Sequence, residues 1–126
     1  MSEPGYQDSD MKIDPVLDLS EFDPSVAQFT GLAFSMSGCD ACAYMREAIE
    51  NLDSAVFNAC RFFSFFVTPN GPSSEALSAY NLREFPTLVW FERGVELKRW
   101  AGFFADPDPR AREAQFSAII MPLVVR

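Results

Sequence analysis

Ser35-Met36-Ser37-Gly38-Cys39-Asp40-Ala41-Cys42 sets two cysteines three residues apart where an apolar run gives way to an amphipathic one. Upstream, Leu32-Ala33-Phe34 reads as a strand. Downstream, Cys42, Met45, Ile49 and Leu52 recur at the spacing of a helix with one buried face. Ser37 followed three residues later by Asp40 forms a candidate capping box for that helix. This predicts Cys39 in the first turn, where unpaired N–H groups and the helix dipole stabilise a thiolate. Cys42, one turn further in, is expected to be more buried. An exposed, activated sulfur beside a protected one, close enough to form a disulfide, is the layout a reversible dithiol needs.

The rest of the chain bounds what such a pair can serve. With 126 residues, 48% of them apolar and 13 of them Phe, the sequence is globular and large enough for one real core. Residues 1–11 are polar, hold Pro4 and Gly5, and are expected to be a loose acidic tail ahead of a single domain over 12–126. No apolar run approaches the ~18 residues of a membrane span. The N-terminus lacks a basic stretch followed by an apolar one, so a secretory signal is not expected and the reading is cytoplasmic. The formal net charge is −8, and residues 1–23 carry most of it, with seven acids against Lys12. The nearly balanced body offers no basic face for phosphates, which disfavours nucleic-acid binding. There is no His, which removes Ser-His and Cys-His nucleophile pairs and the His-containing zinc ligand sets. Three cysteines are an odd number for a structural disulfide framework. Cys39, Cys42 and Cys60 would still lack a fourth metal ligand, and no metal is expected.

Along the chain, Ile13 to Leu17 reads as a short strand, with Pro15 arguing for a sheet edge. Ser20 to Phe29 reads as a short helix started by Asp23-Pro24. Gly31 reads as a breaker before the strand Leu32 to Met36, and the dithiol helix runs from Cys39 to about Asp53. Cys60 to Val67 is short, aromatic and apolar, the pattern of a strand covered on both faces in mid-sheet. Asn70-Gly71-Pro72 is a turn, Ser73 to Tyr80 a short helix, and Asn81 its left-handed cap. Thr87 to Phe91 and Val95 to Trp100 form a hairpin around Glu92-Arg93-Gly94, and Gly102 breaks the second strand. Asp106-Pro107-Asp108-Pro109 starts the last helix, whose stripe is Phe116, Ile119, Ile120, Leu123 and Val124. Pro122 inside that stripe predicts a kink or an end near Met121. The order β-α-β-α-β-α-β-β-α predicts an α/β mixed sheet with helices on both faces.

Over residues 13–124 this chain resembles the thioredoxin family. Three features carry the resemblance: Cys39-Asp40-Ala41-Cys42 between a strand and a helix, the segment Tyr80-Asn81-Leu82-Arg83-Glu84-Phe85-Pro86-Thr87-Leu88, and the hairpin at Phe91-Glu92-Arg93-Gly94 with Gly102 beyond it. CxxC alone is a weak signal; the three in this order are a strong one. The resemblance implies a thioredoxin fold: a mixed central β-sheet with helices on both faces, a ββ hairpin and a C-terminal helix. It implies a cis peptide before Pro86, in a loop beside the cysteine pair, where Phe85 offers its backbone to an extended substrate. The sequence also departs from the family. Gly38 stands where an aromatic residue is usual, Asp40-Ala41 replaces Gly-Pro, Ala33 falls where thioredoxins hold a buried acid, and Glu47 lies near the position of the helix proline.

The chemistry that follows is thiol–disulfide exchange. Cys39 as thiolate attacks a substrate disulfide, and Cys42 resolves the mixed disulfide. Asp40, beside the nucleophile, opposes the helix dipole's stabilisation of the thiolate. Gly38, Phe85 and Pro86 are the candidate substrate-binding residues. Ser37 and Ala41 leave room at the mouth, and Met36 and Phe103 could extend an apolar docking patch. The resemblance implies protein disulfides as substrates, a thioredoxin-reductase-like or small-thiol electron donor, and no cofactor beyond the Cys39–Cys42 disulfide. Without an acid at position 33, Cys42 is expected to deprotonate slowly. Two readings of Cys60 stand, an inert buried thiol and a third oxidisable one. The competing function is a thioredoxin-like binding or chaperone module in which redox chemistry is secondary.

Overall fold

The strand that feeds the two cysteines is the centre of the sheet. The computed structural model describes residues 13–68, 71, 75–102 and 107–124. Its elements are β1 (Ile13–Val16), a 3-10 turn (Leu19–Glu21), β2 (Phe29–Met36), α1 (Asp40–Glu50), α2 (Ser54–Phe57), β3 (Cys60–Val67), α3 (Glu75–Ala79), β4 (Thr87–Glu92), β5 (Val95–Ala101) and α4 (Pro109–Val124). The strand order is β1-β3-β2-β4-β5. β1 and β2 both pair parallel with β3, while β4 is antiparallel to β2 and β5 to β4. This is the mixed sheet that the order of elements predicts, and β1 with Pro15 lies at its edge.

Alternate residues of the strands feed two cores. On one face Met45 and Ile49 of α1 and Phe116 and Ile120 of α4 close over Phe62, Leu88 and Trp90. On the other, Leu32, Phe34, Phe65, Val89 and Phe91 pack with Ala76 of α3 and Leu82. Ile119, Leu123 and Val124 lean on the first core, so the stripe read in the last helix is the one it buries. The hairpin turn sits on Arg93 and Gly94, both left-handed, at φ 52 and 88. Asn81 is left-handed as well, at φ 54.

Four expectations are corrected. No helix forms between Ser20 and Phe29. Asp18 and Asp23 instead accept bonds from Ser20 and Ser25 two residues on, turns that compete with helix, and Phe29 is already in β2. Gly31 does not break the strand. It lies within β2, where an added Cβ would meet the Phe62 ring at 2.8 Å, so its role is close packing. The dithiol helix stops at Glu50, and Asp53 caps a separate turn by accepting from Ala55. Of the kink or end predicted at Pro122, the end near Met121 is the part that fails, since α4 runs to Val124. The missing N–H costs one bond to Ala118 in the last turn, while Leu123 and Val124 still pack.

β3 has the predicted span, but Arg61 and Phe66 are exposed, so its cover is incomplete. The described part of the helix before Asn81 is Glu75–Ala79. The tail 1–11, Asn70 and Pro72 of the predicted turn, Ser73, Phe103 and Asp106 lie outside the described residues. α4 opens with Pro109 in its first turn, and Asp108 accepts from the Arg110 N–H at 3.0 Å.

Candidate active site

β2 delivers the chain from the sheet's centre to Gly38, whose φ of +73 turns it into α1. Apart from its chain neighbours, nothing among the described residues lies within 4 Å of where a Gly38 Cβ would stand. Cys39 and Cys42 are joined in a disulfide, with Cα atoms 5.3 Å apart. The predicted Ser37–Asp40 capping box is not what starts the helix. Cys39 itself is the N-cap, in extended conformation, and its sulfur accepts from the Cys42 N–H at 3.1 Å. Asp40 is then the first helical residue and points to solvent. The Cys39 sulfur thus shares the first-turn Cys42 N–H with the Cys39 carbonyl, which accepts it at 3.2 Å. Cys39 is half-buried, whereas Cys42 is 6% exposed.

The second wall comes from the loop entering β4. Thr87 pairs with Phe34, which brings Pro86 to the end of the sheet that carries Ser37–Cys39. The Phe85–Pro86 peptide is cis and Pro86 is buried. The Thr87 hydroxyl donates to the Glu84 carbonyl at 2.7 Å, and the Gly102 N–H donates to the Pro86 carbonyl at 3.1 Å. Both bonds tie the loop down without using the backbone of Phe85. The Phe85 ring is half-buried against the Leu32/Phe34 core, so less of it is available for an apolar patch than the sequence suggests.

Beneath the first turns of α1 lies a cleft of about 330 Å³. Ala33 and Ser64, paired across β2 and β3, form part of its floor, and Cys42, Arg46 and Glu50 form its helical wall. This is the position at which the resemblance places an acid, and the small side chains leave space instead. Arg46 is not singled out by the sequence; it stands one turn after Cys42, and the cleft under α1 is what brings the two together.

Cys60 is remote. It pairs with Phe29 at one end of β2 while the disulfide follows Met36 at the other, roughly 23 Å away by strand rise. The three sulfurs cannot meet, and no group of three or more His, Cys, Asp or Glu among the described residues could hold a metal. The Cys60 thiol donates to the Val56 carbonyl at 3.3 Å, and burial pushes its pKa up to about 12.

The fold and the site together define an α/β domain of thioredoxin fold with a CxxC disulfide at the start of its first long helix. Solved structures similar to it include thioredoxins. That of Malassezia sympodialis shares 18% identity, covers 87% of this chain and 89% of its own, and superposes with a TM-score of 0.67. Mitochondrial thioredoxin 3 of Saccharomyces cerevisiae, in its oxidised form, shares 20% over 87% of this chain and 98% of its own, at a TM-score of 0.64. Thioredoxin f2, solved in complex with ferredoxin:thioredoxin reductase, shares 14% over 86% and 94%, at 0.63. No family model matches the sequence, and no curated protein matches it. No described helix is long and apolar enough to cross a membrane.

Proposed function

We propose that this protein is a thiol–disulfide oxidoreductase that reduces protein disulfides through Cys39 and Cys42, in a single domain spanning residues 12–126. One observation carries the reading: the pair sits at a helix N-terminus, with the outer sulfur accepting the Cys42 N–H and the inner one nearly covered. As a thiolate, Cys39 keeps that hydrogen bond and the helix dipole, which makes it both the better nucleophile and the better leaving group. Cys42 is the resolving thiol. Asp40, one residue further on, tempers the thiolate's stabilisation from solvent, where screening limits its reach.

An extended substrate strand would align along Phe85, whose backbone takes no part in the bonds that fix the loop, with Gly38 and Pro86 flanking it. The pair itself is the only redox group required. Its electrons come from a reductase of the thioredoxin-reductase kind or from a small thiol, a reading supported by the thioredoxin f2–reductase complex among the similar structures. The cytoplasm, kept reducing, suits such a pair.

The test is equilibration of the pair against thiol buffers in a Cys60→Ser background, with turnover of a protein disulfide followed in parallel. The expected result is a potential near about −270 mV, with turnover lost in Cys39→Ser and mixed disulfides accumulating in Cys42→Ser. A potential above about −200 mV would make the protein an oxidant or isomerase. Absence of an intramolecular disulfide at every poise would leave the binding module as its function.

A further inference from the structure

We propose that Arg46 is the positioning residue for the resolving sulfur: from one helical turn away, in the cleft they share, its guanidinium favours Cys42 as a thiolate where Ala33 supplies no acid. Cys42, Arg46 and Glu50 follow one another at four-residue steps along α1, and all three line the cleft. Residues four apart on a helix have Cβ atoms about 5–6 Å apart, and helical side chains lean toward the N-terminus. That geometry lets Arg46, exposed at the rim of the cleft, reach back over the turn that holds Cys42. Glu50 lies two turns from Cys42, about 12 Å along the axis, too far to accept its proton directly.

Among the described residues, the remaining walls add no charge. β1 contributes Ile13 and Pro15, β2 Ala33 and Ser35, and β3 Ser64 and Phe66, none of which titrates. Asp14 and Arg61 alternate onto the opposite face of the sheet and pair with each other at 2.9 Å. On the far flank of α1, Arg112 of α4 stacks on Tyr44 and lies 3.7 Å from Glu47. Arg83 and Glu84, before β4, are exposed and outside the cleft, as is Asp40 at the helix start. Among the described residues, Arg46 is thus the one cation that lines the cleft with Cys42.

The step it serves rests on the function proposed above. In the mixed disulfide between Cys39 and a substrate sulfur, the Cys42 thiol gives its proton to solvent in the cleft. The thiolate attacks the Cys39 sulfur; the Cys39–Cys42 bond forms as the Cys39–substrate bond breaks. The electron pair leaves on the substrate sulfur, which takes a proton from water. The two cysteines are oxidised and the substrate is reduced.

The test reads the Cys42 thiol alone, by iodoacetamide alkylation between about pH 6 and about pH 10 in Cys39→Ser/Cys60→Ser protein, with and without Arg46→Gln. The expected result is alkylation about three- to tenfold slower near neutral pH. The midpoint rises by about half to one pH unit, and no difference remains once the thiol is fully ionised. Arg46→Lys, which keeps the charge, restores most of the rate. An unchanged profile overturns the inference, as does an equal loss at every pH that Arg46→Lys does not rescue, since that marks altered packing. No substrate disulfide is involved, so a wild-type protein inactive on protein disulfides would overturn the proposed function and leave this titration to be decided on its own result.

Discussion

At the scale of the residue, the three cysteines are sorted by what surrounds each sulfur. Cys39 holds a helix N–H, Cys42 faces the cleft, and Cys60 is sealed among apolar neighbours with its thiol bonded to Val56. Burial pushes the Cys60 thiol from 9.0 up to about 12, which disfavours the thiolate that oxidation would need and supports the inert reading of Cys60. The sign of its effect on stability follows. Between about pH 9 and about pH 12 the unfolded thiol loses its proton while the folded one keeps it, so stability contributed by Cys60 falls as pH rises through that window. Thermal melts of Cys60→Ala should therefore show a shallower alkaline decline than wild type, with disulfide exchange unchanged. An identical alkaline slope in both proteins would contradict the assignment. Phe85 is a second case. If its backbone and the exposed part of its ring receive the substrate, Phe85→Ala in a Cys42→Ser background should trap several-fold less partner in mixed disulfides, and undiminished trapping would remove Phe85 from the site.

Between elements, the decisive contacts are those that hold α1 in place over the sheet. Arg112, 4% exposed, reaches from α4 to lie 3.7 Å over the Tyr44 ring beside Glu47. Truncating this buried guanidinium removes its stacking on Tyr44 and leaves a void between α4 and α1, while Glu47, 59% exposed, stays solvated. Arg112→Ala should cost about 2–3 kcal/mol in urea unfolding and loosen α1, seen as faster amide exchange in its second half. At the sheet, Gly31 admits the Phe62 ring of the neighbouring strand. Gly31→Ala should cost about 1–3 kcal/mol, since the ring it would strike is fully buried and cannot swing away. A neutral result would mean that β2 and β3 separate more readily than their register suggests. Both contacts join residues distant in sequence, which is why neither Arg112 nor the use of Gly31 was legible from local pattern. The helix wrongly expected at Ser20–Phe29 failed for a different reason. Asp and Ser there satisfy the backbone locally, and Phe29 is needed in the central strand.

Over the whole molecule, charge and chemistry occupy different places. Most of the net charge of −8 belongs to residues 1–23, whereas the disulfide lies at the C-terminal end of the central strand. Removal of residues 1–11 should therefore leave the melting temperature within about 2 °C and the exchange rate unchanged, while raising the isoelectric point. A large loss of either would make that segment part of the domain. The short apolar strands, the CxxC between strand and helix, the hairpin turn and the stripe of the last helix were determined by the sequence itself, because each is a short-range consequence of side-chain pattern or of backbone conformations that few residues adopt. The tertiary structure alone decided that Cys39 rather than Ser37 caps the helix, that Cys60 lies a strand's length from the pair, and that Ala33 and Ser64 open a cleft onto Cys42. Those outcomes depend on strand register and on which side chains meet across it, and register is set by the burial of both faces of the sheet at once.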